Sequence, residues 1–202
     1  MDRRQFLSGA ALSLTGVMAG CSALSSGPDP SGYVRPEGDP PKVPERHQCD
    51  KENLSPFDTV EEPDWGETDN VALRVDRLAF DYRETATITL TNTSGEDITT
   101  GVKEMHLFDI YTEAGWQAVQ HCVGDCPGVE SQAVGHKAGE GFEWNLTLTK
   151  TGVSTLRESE RVVACSDLVS ARYRFVFTGA DTPVAVAFDL RTPSRPSPRR
   201  RR

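Results

Sequence analysis

Hydrophobic and polar residues alternate with a period of two over much of the chain beyond residue 70. Val71, Leu73 and Val75 are separated by less apolar or charged residues, and residues 85–92 alternate threonine with apolar side chains. This alternation places one face of a β-strand against a core, and β-branched residues favour strands. The same pattern predicts further strands at 105–112, 116–120, 141–149, 171–178 and 184–190.

Short turn-forming segments separate these runs, as expected for antiparallel strands joined by tight connections. They lie at 93–97, 113–115, 137–139 and 179–181. A helix is compatible only with residues 151–161, which we interpret as a connection of about one turn. Seven or so short strands without an amphipathic helix predict an all-β protein, built as a two-layer antiparallel sandwich over residues 70–190.

Proline, glycine and serine dominate the residues before this domain. Four prolines lie between residues 36 and 44 alone. Such a composition prevents regular structure, so residues 21–69 are predicted to form a mostly disordered linker that holds the domain away from its point of attachment. Phe57 and Trp65 are the two residues of this range that we expect to contact the domain.

The first residues have the features of an export signal. Arg3 and Arg4 precede a mildly apolar run, residues 9–17, which is too short to span a membrane because a spanning helix needs about 20 apolar residues. The segment ends at Cys21, preceded by small residues. A cleaved secretory peptide followed by a coincidental cysteine is the alternative interpretation.

This leader resembles the twin-arginine signals of lipoproteins, with residues 18–21 at the position of the lipobox. The resemblance implies that residues 1–20 are removed as a signal peptide and that the thiol of Cys21 carries a lipid. The mature protein is then expected on the extracytoplasmic face of the cell membrane.

The composition indicates the solvent in which the protein works. The chain has 30 acidic and 22 basic residues, of which only five are lysine. Such acidic, lysine-poor chains resemble proteins of high-salt archaea, where surface carboxylates keep a protein soluble although the Debye length is about 3 Å at 1 M salt. We therefore predict a halophilic protein. An acidic protein adapted to ordinary salt is the alternative.

Charge is divided unevenly along the chain. Without the leader and the last twelve residues, the chain has 14 basic and 29 acidic residues, a net charge of −15, whereas residues 191–202 carry six arginines and no acid. The proline-rich tail is predicted to be a disordered basic arm. Its simplest interpretation is a solvated terminus, and the alternative is docking on anionic lipid or surface glycan. We expect no nucleic-acid partner, because no aromatic stacking platform accompanies the arginines.

Four segments together resemble the immunoglobulin-like domains of bacterial surface lipoproteins, similar to the Bacillus intracellular proteinase inhibitor family. They are residues 87–94, 107–116, 138–144 and 171–174. The resemblance covers about residues 70–190 and implies an immunoglobulin-like sandwich, and it carries little information on activity. In such a sandwich the hydroxyl of Tyr173 is expected to bond the backbone of a nearby corner.

Four cysteines remain when Cys21 is lipidated, and in an oxidising compartment they are most simply two disulfides. Cys122 and Cys126 flank Gly124, which permits a tight bend, so that they could pair with each other and leave Cys49 to pair with Cys165. The other two pairings stay open at this point.

A metal site is the competing interpretation of the same segment. Thiolate and imidazole ligands suit copper or zinc, and His121, Cys122, Cys126 and His136 are close in sequence. We favour disulfides and predict no metal and no other cofactor.

Asparagine residues in Asn-x-Ser/Thr motifs predict acceptor sites for surface glycans in an exported protein. Three such motifs begin at Asn53, Asn92 and Asn145. Asn92, at a strand end, is the preferred candidate, and the parity of its strand predicts that Asn145 is exposed.

Motifs for nucleophilic, phosphate-binding or zinc-hydrolytic chemistry are absent from the sequence, so we predict a protein that is not an enzyme. The expected function is that of a membrane-anchored binding or structural module at the cell surface. Two alternatives are a copper or redox carrier that uses Cys122 and Cys126, and a protease inhibitor that presents their loop.

Overall fold

Two facing β-sheets enclose the core of the protein in the computed structural model, which describes residues 30–41, 43, 53–124, 126, 132–157 and 159–193. The strands of sheet 1 are β3 (Val71–Val75), β5 (Thr85–Asn92) and β11 (Gly141–Thr147). Those of sheet 2 are β2 (Asp64–Trp65), β4 (Ala79–Asp81), β7 (His106–Thr112), β8 (Gly115–Ala118), β13 (Ala171–Phe177) and β14 (Val184–Arg191). Sheet 1 has the order β11-β5-β3, and sheet 2 has the order β14-β13-β7-β8 with β2 and β4 both paired to β14.

Smaller elements complete the part of the chain that the structure describes. A three-stranded small sheet consists of β1 (Leu54–Pro56), β9 (Gln120–Val123) and β12 (Val162–Ala164), and β6 (Ile98–Thr100) pairs with β10 (Val134–His136). The helix α1 (Lys150–Thr155) begins after Thr149, whose side chain accepts a hydrogen bond from the amide of Gly152. This single turn and a half agrees with the predicted connection at residues 151–161.

The prediction of an all-β sandwich is confirmed, and each predicted strand is present with small shifts at its ends. The predicted strand at 116–120 is divided, because β8 ends at Ala118 and β9 begins at Gln120 in a different sheet. The two sheets have the strand order of an immunoglobulin-like sandwich, with three strands on one side and β14, β13 and β7 on the other. The ladders between the long strands are antiparallel.

Alternate residues of both sheets form the core between them. Sheet 2 contributes Phe108, Phe175 and Phe188, while sheet 1 contributes Leu90 and Trp144. Each such side chain, when fully buried, stabilises the fold by about 1.5–3 kcal/mol. The aromatic rings contact one another directly: Trp144 and Phe175 have ring centroids 4.9 Å apart.

Tyr173 adds a polar tie at the edge of this core. Its hydroxyl donates to the carbonyl of Val169 and accepts from the amide of the same residue, both at 2.9 Å. The predicted corner hydrogen bond is thus confirmed. Burial raises the pKa of Tyr173 above its usual value, so the hydroxyl keeps its proton and its role as donor.

The linker prediction for residues 21–69 is wrong for the described part of that range. Residues 30–41, 43 and 53–65, which we call the N-terminal strap, begin against β3 of sheet 1, follow the edge and the outer face of sheet 2, and include β1 of the small sheet. Tyr33 pairs with Val75, Val34 accepts from the amide of Ala187, and β2 pairs with β14. Because its backbone groups find partners, a proline-rich segment becomes part of the fold despite its composition.

The strap, together with β4, also covers the free edge of β14. The β2 ladder reaches Ala185, Val34 bonds to Ala187, and the β4 ladder begins at Asp189. Strand edges left open are templates for aggregation, so three short segments protect this one. None of them is long enough to show a period-two pattern, which explains why β2 and β4 were not predicted.

Candidate functional site

Several predicted sites lie outside the described residues. They are Arg3, Arg4, Cys21, Cys49 and the tail beyond residue 193. Among the residues that the structure describes, no helix has the length and apolar character needed to cross a membrane.

The structure joins Cys122 and Cys126 in a disulfide, with their Cα atoms 5.0 Å apart. Cys122 is buried in β9, and the chain turns back at Gly124, where φ is +72°. Cys126 is exposed at the surface beside Ser55 of β1. Cys165, directly after β12, is also disulfide-bonded. Its partner lies outside the described residues, so the pairing with Cys49 stays a prediction.

The alternative metal ligands are not brought together. Among the described residues, no group of three or more His, Cys, Asp or Glu side chains could hold a metal ion. Both thiols of the set are in the disulfide. His121 lies in β9, whereas His136 lies in β10 and shares a hydrogen bond of 2.9 Å between its Nε2 and Thr100 Oγ1. Burial lowers the pKa of each histidine, as expected for neutral rings used in packing.

The three glycan motifs differ sharply in accessibility. Asn92 is only 1% exposed, and its Nδ2 donates to the carbonyls of Glu96 and His136. Its Oδ1 accepts from the amide and the hydroxyl of Ser94. Asn92 therefore closes a turn, and the preference for it as an acceptor is wrong for the folded protein.

Asn145 and Asn53 are both exposed. Asn145 lies on the outer face of sheet 1, as the parity of its strand predicted, where its Oδ1 accepts a hydrogen bond from Thr87 at 3.1 Å. Asn53 precedes β1 with a φ of +83°. These two positions remain the predicted glycan acceptors.

Two arginines of β13 hold the N-terminal strap. No sequence motif predicted a site at either of them. Arg174 and Asp109 lie directly opposite each other on β13 and β7, and both side chains are 0% exposed. Arg174 Nε donates to Asp109 Oδ2 at 2.8 Å, and its Nη2 donates to the strap carbonyl of Val60 at 2.5 Å. Burial raises the pKa of Asp109, and the positive charge of Arg174 opposes this shift.

Arg172, two residues earlier on the same face of β13, repeats this arrangement. Its Nε and Nη2 donate to the two carboxylate oxygens of Asp189 on β14, and its Nη1 donates to the carbonyl of Gly38 at 2.8 Å. Gly38 belongs to the first limb of the strap, residues 30–41 and 43, and Val60 to the second limb, residues 53–65. One arginine therefore holds each limb against the outer face of sheet 2, which explains why every residue of β13 is buried.

Aromatic rings cover the buried ion pair. Trp116 of β8 lies over the Arg174 guanidinium, 4.6 Å from its carbon to the ring centroid, and Trp65 of the strap packs 6.3 Å from Trp116. Arg35 stacks on Trp65 in turn. Cation–π contacts of this kind strengthen when water is excluded, so the rings also fix the strap to the sheet.

His106 is a buried histidine at the start of β7. Burial lowers its pKa to about 3. Its Nδ1 bonds the carbonyl of Lys103 at 2.9 Å, while the buried Nε2 has no hydrogen-bond partner within the described part of the chain. Arg157 Nη2 donates to the carbonyl of His106 and its guanidinium stacks on Phe57 of the strap. A neutral, inaccessible ring of this kind stabilises packing and gives no sign of acid–base chemistry.

Neither of the two comparisons with known proteins gives a relative: no protein-family model matches the chain, and no match is found among curated proteins.

Proposed function

We propose that the chain is a lipid-anchored protein of the extracytoplasmic cell surface, and that its sandwich serves as a binding or structural module there. The observation that carries the proposal is the position of Cys21. This cysteine ends an export-type leader and lies nine residues before Pro30, where the strap begins.

Disulfide bonding supports an oxidising compartment. Cys122 and Cys126 are bonded to each other, and Cys165 is also in a disulfide. Disulfides of this kind persist in secreted and surface proteins and are rare where cellular thiols keep cysteines reduced. In the proposed mature protein Cys21 carries the lipid, and Cys49 pairs with Cys165.

The strap is also suited to a domain that hangs from its N-terminus. A load on the chain before Ser31 first meets the two hydrogen bonds between Tyr33 and Val75, and then the bond from Ala187 to Val34. Behind these lie the two arginine contacts described above. These contacts involve strands of both sheets, so several hydrogen bonds must break before the strap detaches.

The two alternative functions gain no comparable support. A copper carrier needs Cys122 and Cys126 as free thiolates, whereas the structure joins them in a disulfide, and a redox carrier would have to reduce and re-form that bond. The protease-inhibitor hypothesis concerns a loop of which residues 127–131 lie outside the described part of the chain. We therefore retain the surface module as the proposed function.

Two variants test the proposal in cells that express the full chain. Replacing Arg3 and Arg4 by lysine is expected to keep the protein in the cytoplasm with its cysteines reduced, because the paired arginines direct export. Cys21→Ser is expected to lose the mass of the lipid. Arg35→Lys, a like substitution outside the leader, is the control and should be exported and lipidated. Wild-type protein found in the cytosol with free thiols would contradict the proposal.

A further inference from the structure

We propose that the open edge of β11 binds an extended peptide segment of another protein as an added strand, with one uncharged polar side chain in the cavity beside it. This inference rests on the proposed function, because it names the class of partner that the surface module binds. We call the place the edge site. It consists of the backbone of Glu143 and Asn145 and of the cavity that His106 lines.

Two other strand edges of the sandwich are covered, whereas that of β11 is open. Along β3, Val75 exchanges two hydrogen bonds with Tyr33, and the amide of Leu73 donates to the carbonyl of Gly66. Along β14, the strap and β4 complete the ladder. Among the described strands, β11 pairs with β5 alone, so one of its two edges has no neighbouring strand.

The register of β5 shows which groups of β11 point away from the sheet. Directly opposed residues of an antiparallel ladder alternate between pairs that exchange hydrogen bonds and pairs that do not. The amide of Asp76 donates to the carbonyl of Thr87, so the odd-numbered residues of β5 bond β3. The amide of Leu148 donates to the carbonyl of Glu84, in step with the even-numbered pairs of β5 and β11. The N–H and C=O groups of the odd-numbered residues of β11 therefore point away from β5.

Glu143 and Asn145 carry these outward groups in the middle of the open edge. Within the described part of the chain, no hydrogen bond is made by the backbone of either residue on this side, and both residues are exposed. The Asn145 side chain bonds Glu143 and Thr87 on the outer face of sheet 1, so it leaves the edge uncovered. Two N–H and two C=O groups in a row are a template for a further strand.

A cavity of about 160 Å³ lies beside this edge. It is on the inner side of sheet 1, because His106 of β7 lines it together with Trp144. In an added strand, the residue opposite Trp144 directs its side chain to the same side of the sheet as Trp144, and thus towards the cavity. Peptide sites at strand edges gain affinity from main-chain hydrogen bonds and specificity from such pockets for alternate side chains. The remaining lining residues are Lys103, Glu104, Asn145, Thr155 and Leu156.

The cavity favours an uncharged side chain that donates a hydrogen bond. His106 Nδ1 lies 2.9 Å from the carbonyl of Lys103, and because a carbonyl only accepts, Nδ1 carries the proton of the neutral ring. Nε2 is then an acceptor, and it is buried with no partner among the described residues. A hydroxyl or an amide side chain supplies the missing donor. The positive charges of Arg157 and Lys103 act on the same ring and disfavour a cationic side chain.

The open stretch suits a single extended segment better than a second copy of the domain. The helix α1 begins at Lys150, shortly after β11 ends, and Lys103 and Glu104 lie beside the edge. A second copy would bring its own α1 and the same loop to this place. Antiparallel pairing centred on Glu143 would also put two carboxylates opposite each other, which is destabilising. A peptide brings only its own backbone and side chains.

Binding of dye-labelled peptides to the lipidated mature protein in detergent micelles, measured by fluorescence anisotropy, tests the inference. The probe is the pentapeptide amide Val-Thr-Thr-Lys-Val, designed to place its central threonine opposite Trp144 and its lysine opposite Glu143. A second peptide has valine at the centre. Two more carry a single N-methyl group, either on the lysine nitrogen, which faces β11 in the added strand, or on the central threonine nitrogen, which faces away from it.

Asn145→Pro and Asn145→Ala are the matched protein variants. Proline removes the N–H that faces the edge and leaves the ladder with β5 intact, whereas alanine keeps that N–H. Both variants lack the glycan motif, so they do not differ in glycosylation. Circular dichroism shows whether each variant is folded, and the two N-methyl peptides decide the question on the unaltered protein if the proline variant is not.

We expect the threonine probe to bind with a Kd of about 1 mM or below. Central valine and N-methyl lysine should each weaken binding about ten-fold, because each leaves a buried or edge group unpaired. N-methylation of the central threonine should change the Kd less than about three-fold. Asn145→Pro should bind the probe about ten-fold more weakly than Asn145→Ala.

Equal binding of the two N-methyl peptides, or no saturable binding of the probe, would overturn the inference. Equal binding of the threonine and valine peptides would overturn the role of the cavity. A dimer in sedimentation that Asn145→Pro abolishes would mean that a second copy occupies the edge, which also contradicts the proposal. The intact mass of the same sample keeps the two proposals apart: a missing lipid contradicts the anchor, and lipidated protein that ignores the peptides contradicts only the edge site.

Discussion

Breaking the buried ion pair between Asp109 and Arg174 is expected to cost far more stability than removing it altogether. Asp109→Leu leaves the Arg174 charge buried without its counterion, and Arg174→Met leaves the Asp109 carboxylate alone in the same position. Each single substitution should lower the free energy of unfolding by about 3–5 kcal/mol. The double variant removes both charges and should lie within about 1 kcal/mol of the wild type.

Details of the structure support this expectation. Both side chains are 0% exposed, so each charge loses its hydration. The pair is joined by one hydrogen bond, and Asp109 Oδ1 and Arg174 Nη1 have no partner among the described residues. Because the hydrogen bonding is incomplete, the attraction between the two charges offsets little more than the free-energy cost of their desolvation.

The assay is denaturant unfolding of the wild type, the two single variants and the double variant, analysed as a thermodynamic cycle. The Arg172–Asp189 pair is the matched control, because the Asp189 side chain is 31% exposed. Asp189→Leu should cost only about 1–2 kcal/mol, since water solvates part of what is left unpaired.

The same four proteins also report on the strap. Arg174 donates to Val60, so Arg174→Met should speed cleavage by a glutamate-specific protease after the exposed residue Glu61, even in the double variant that regains stability. The reasoning would be refuted if the losses in free energy of unfolding of the two single variants simply added in the double variant. It would also be refuted if the double variant were cleaved no faster than the wild type.

Three further results are expected. Tyr173→Phe should cost about 1–2 kcal/mol in denaturant unfolding, because the backbone of Val169 loses its partner; a change below about 0.3 kcal/mol would contradict the corner role. Asn92→Ala should cost about 2–3 kcal/mol and Asn145→Ala less than about 0.5, and glycopeptide mapping should find no sugar on Asn92; modified Asn92 would refute its burial. Burial lowers the pKa of His106 to about 3, so as the pH falls below about 6.5 this ring gains a proton in the unfolded chain before it does so in the folded one. The free energy of unfolding should therefore decline between about pH 6.5 and pH 3 by up to about 5 kcal/mol. His106→Gln should flatten this part of the pH–stability curve, and an unchanged pH dependence would show that the ring does not titrate as described.

The long strands could be predicted from sequence because each has one buried and one solvated face. β5 shows this most clearly: Ala86, Ile88 and Leu90 face the core, and the threonines between them face outwards. The same alternation in β5 predicts that Asn92 points into the core, because it is in register with these apolar residues. Its place at the end of the strand made it look like an exposed glycan acceptor instead.

The strap could not be predicted because its order does not come from its own sequence. Proline and glycine remove its regular pattern, and its partners are arginines on a strand more than a hundred residues later. The sequence shows Arg172 and Arg174 among apolar neighbours in β13. It does not show which acids face them, because the pairing depends on the register of β7 and β14 with β13.

The intact mass of the protein extracted from membranes tests the central claim most directly. The account predicts a chain that begins at Cys21, carries a lipid on that residue and has lost four hydrogens to two disulfides. A full-length chain from Met1 that carries no lipid and has all its cysteines reduced would contradict it.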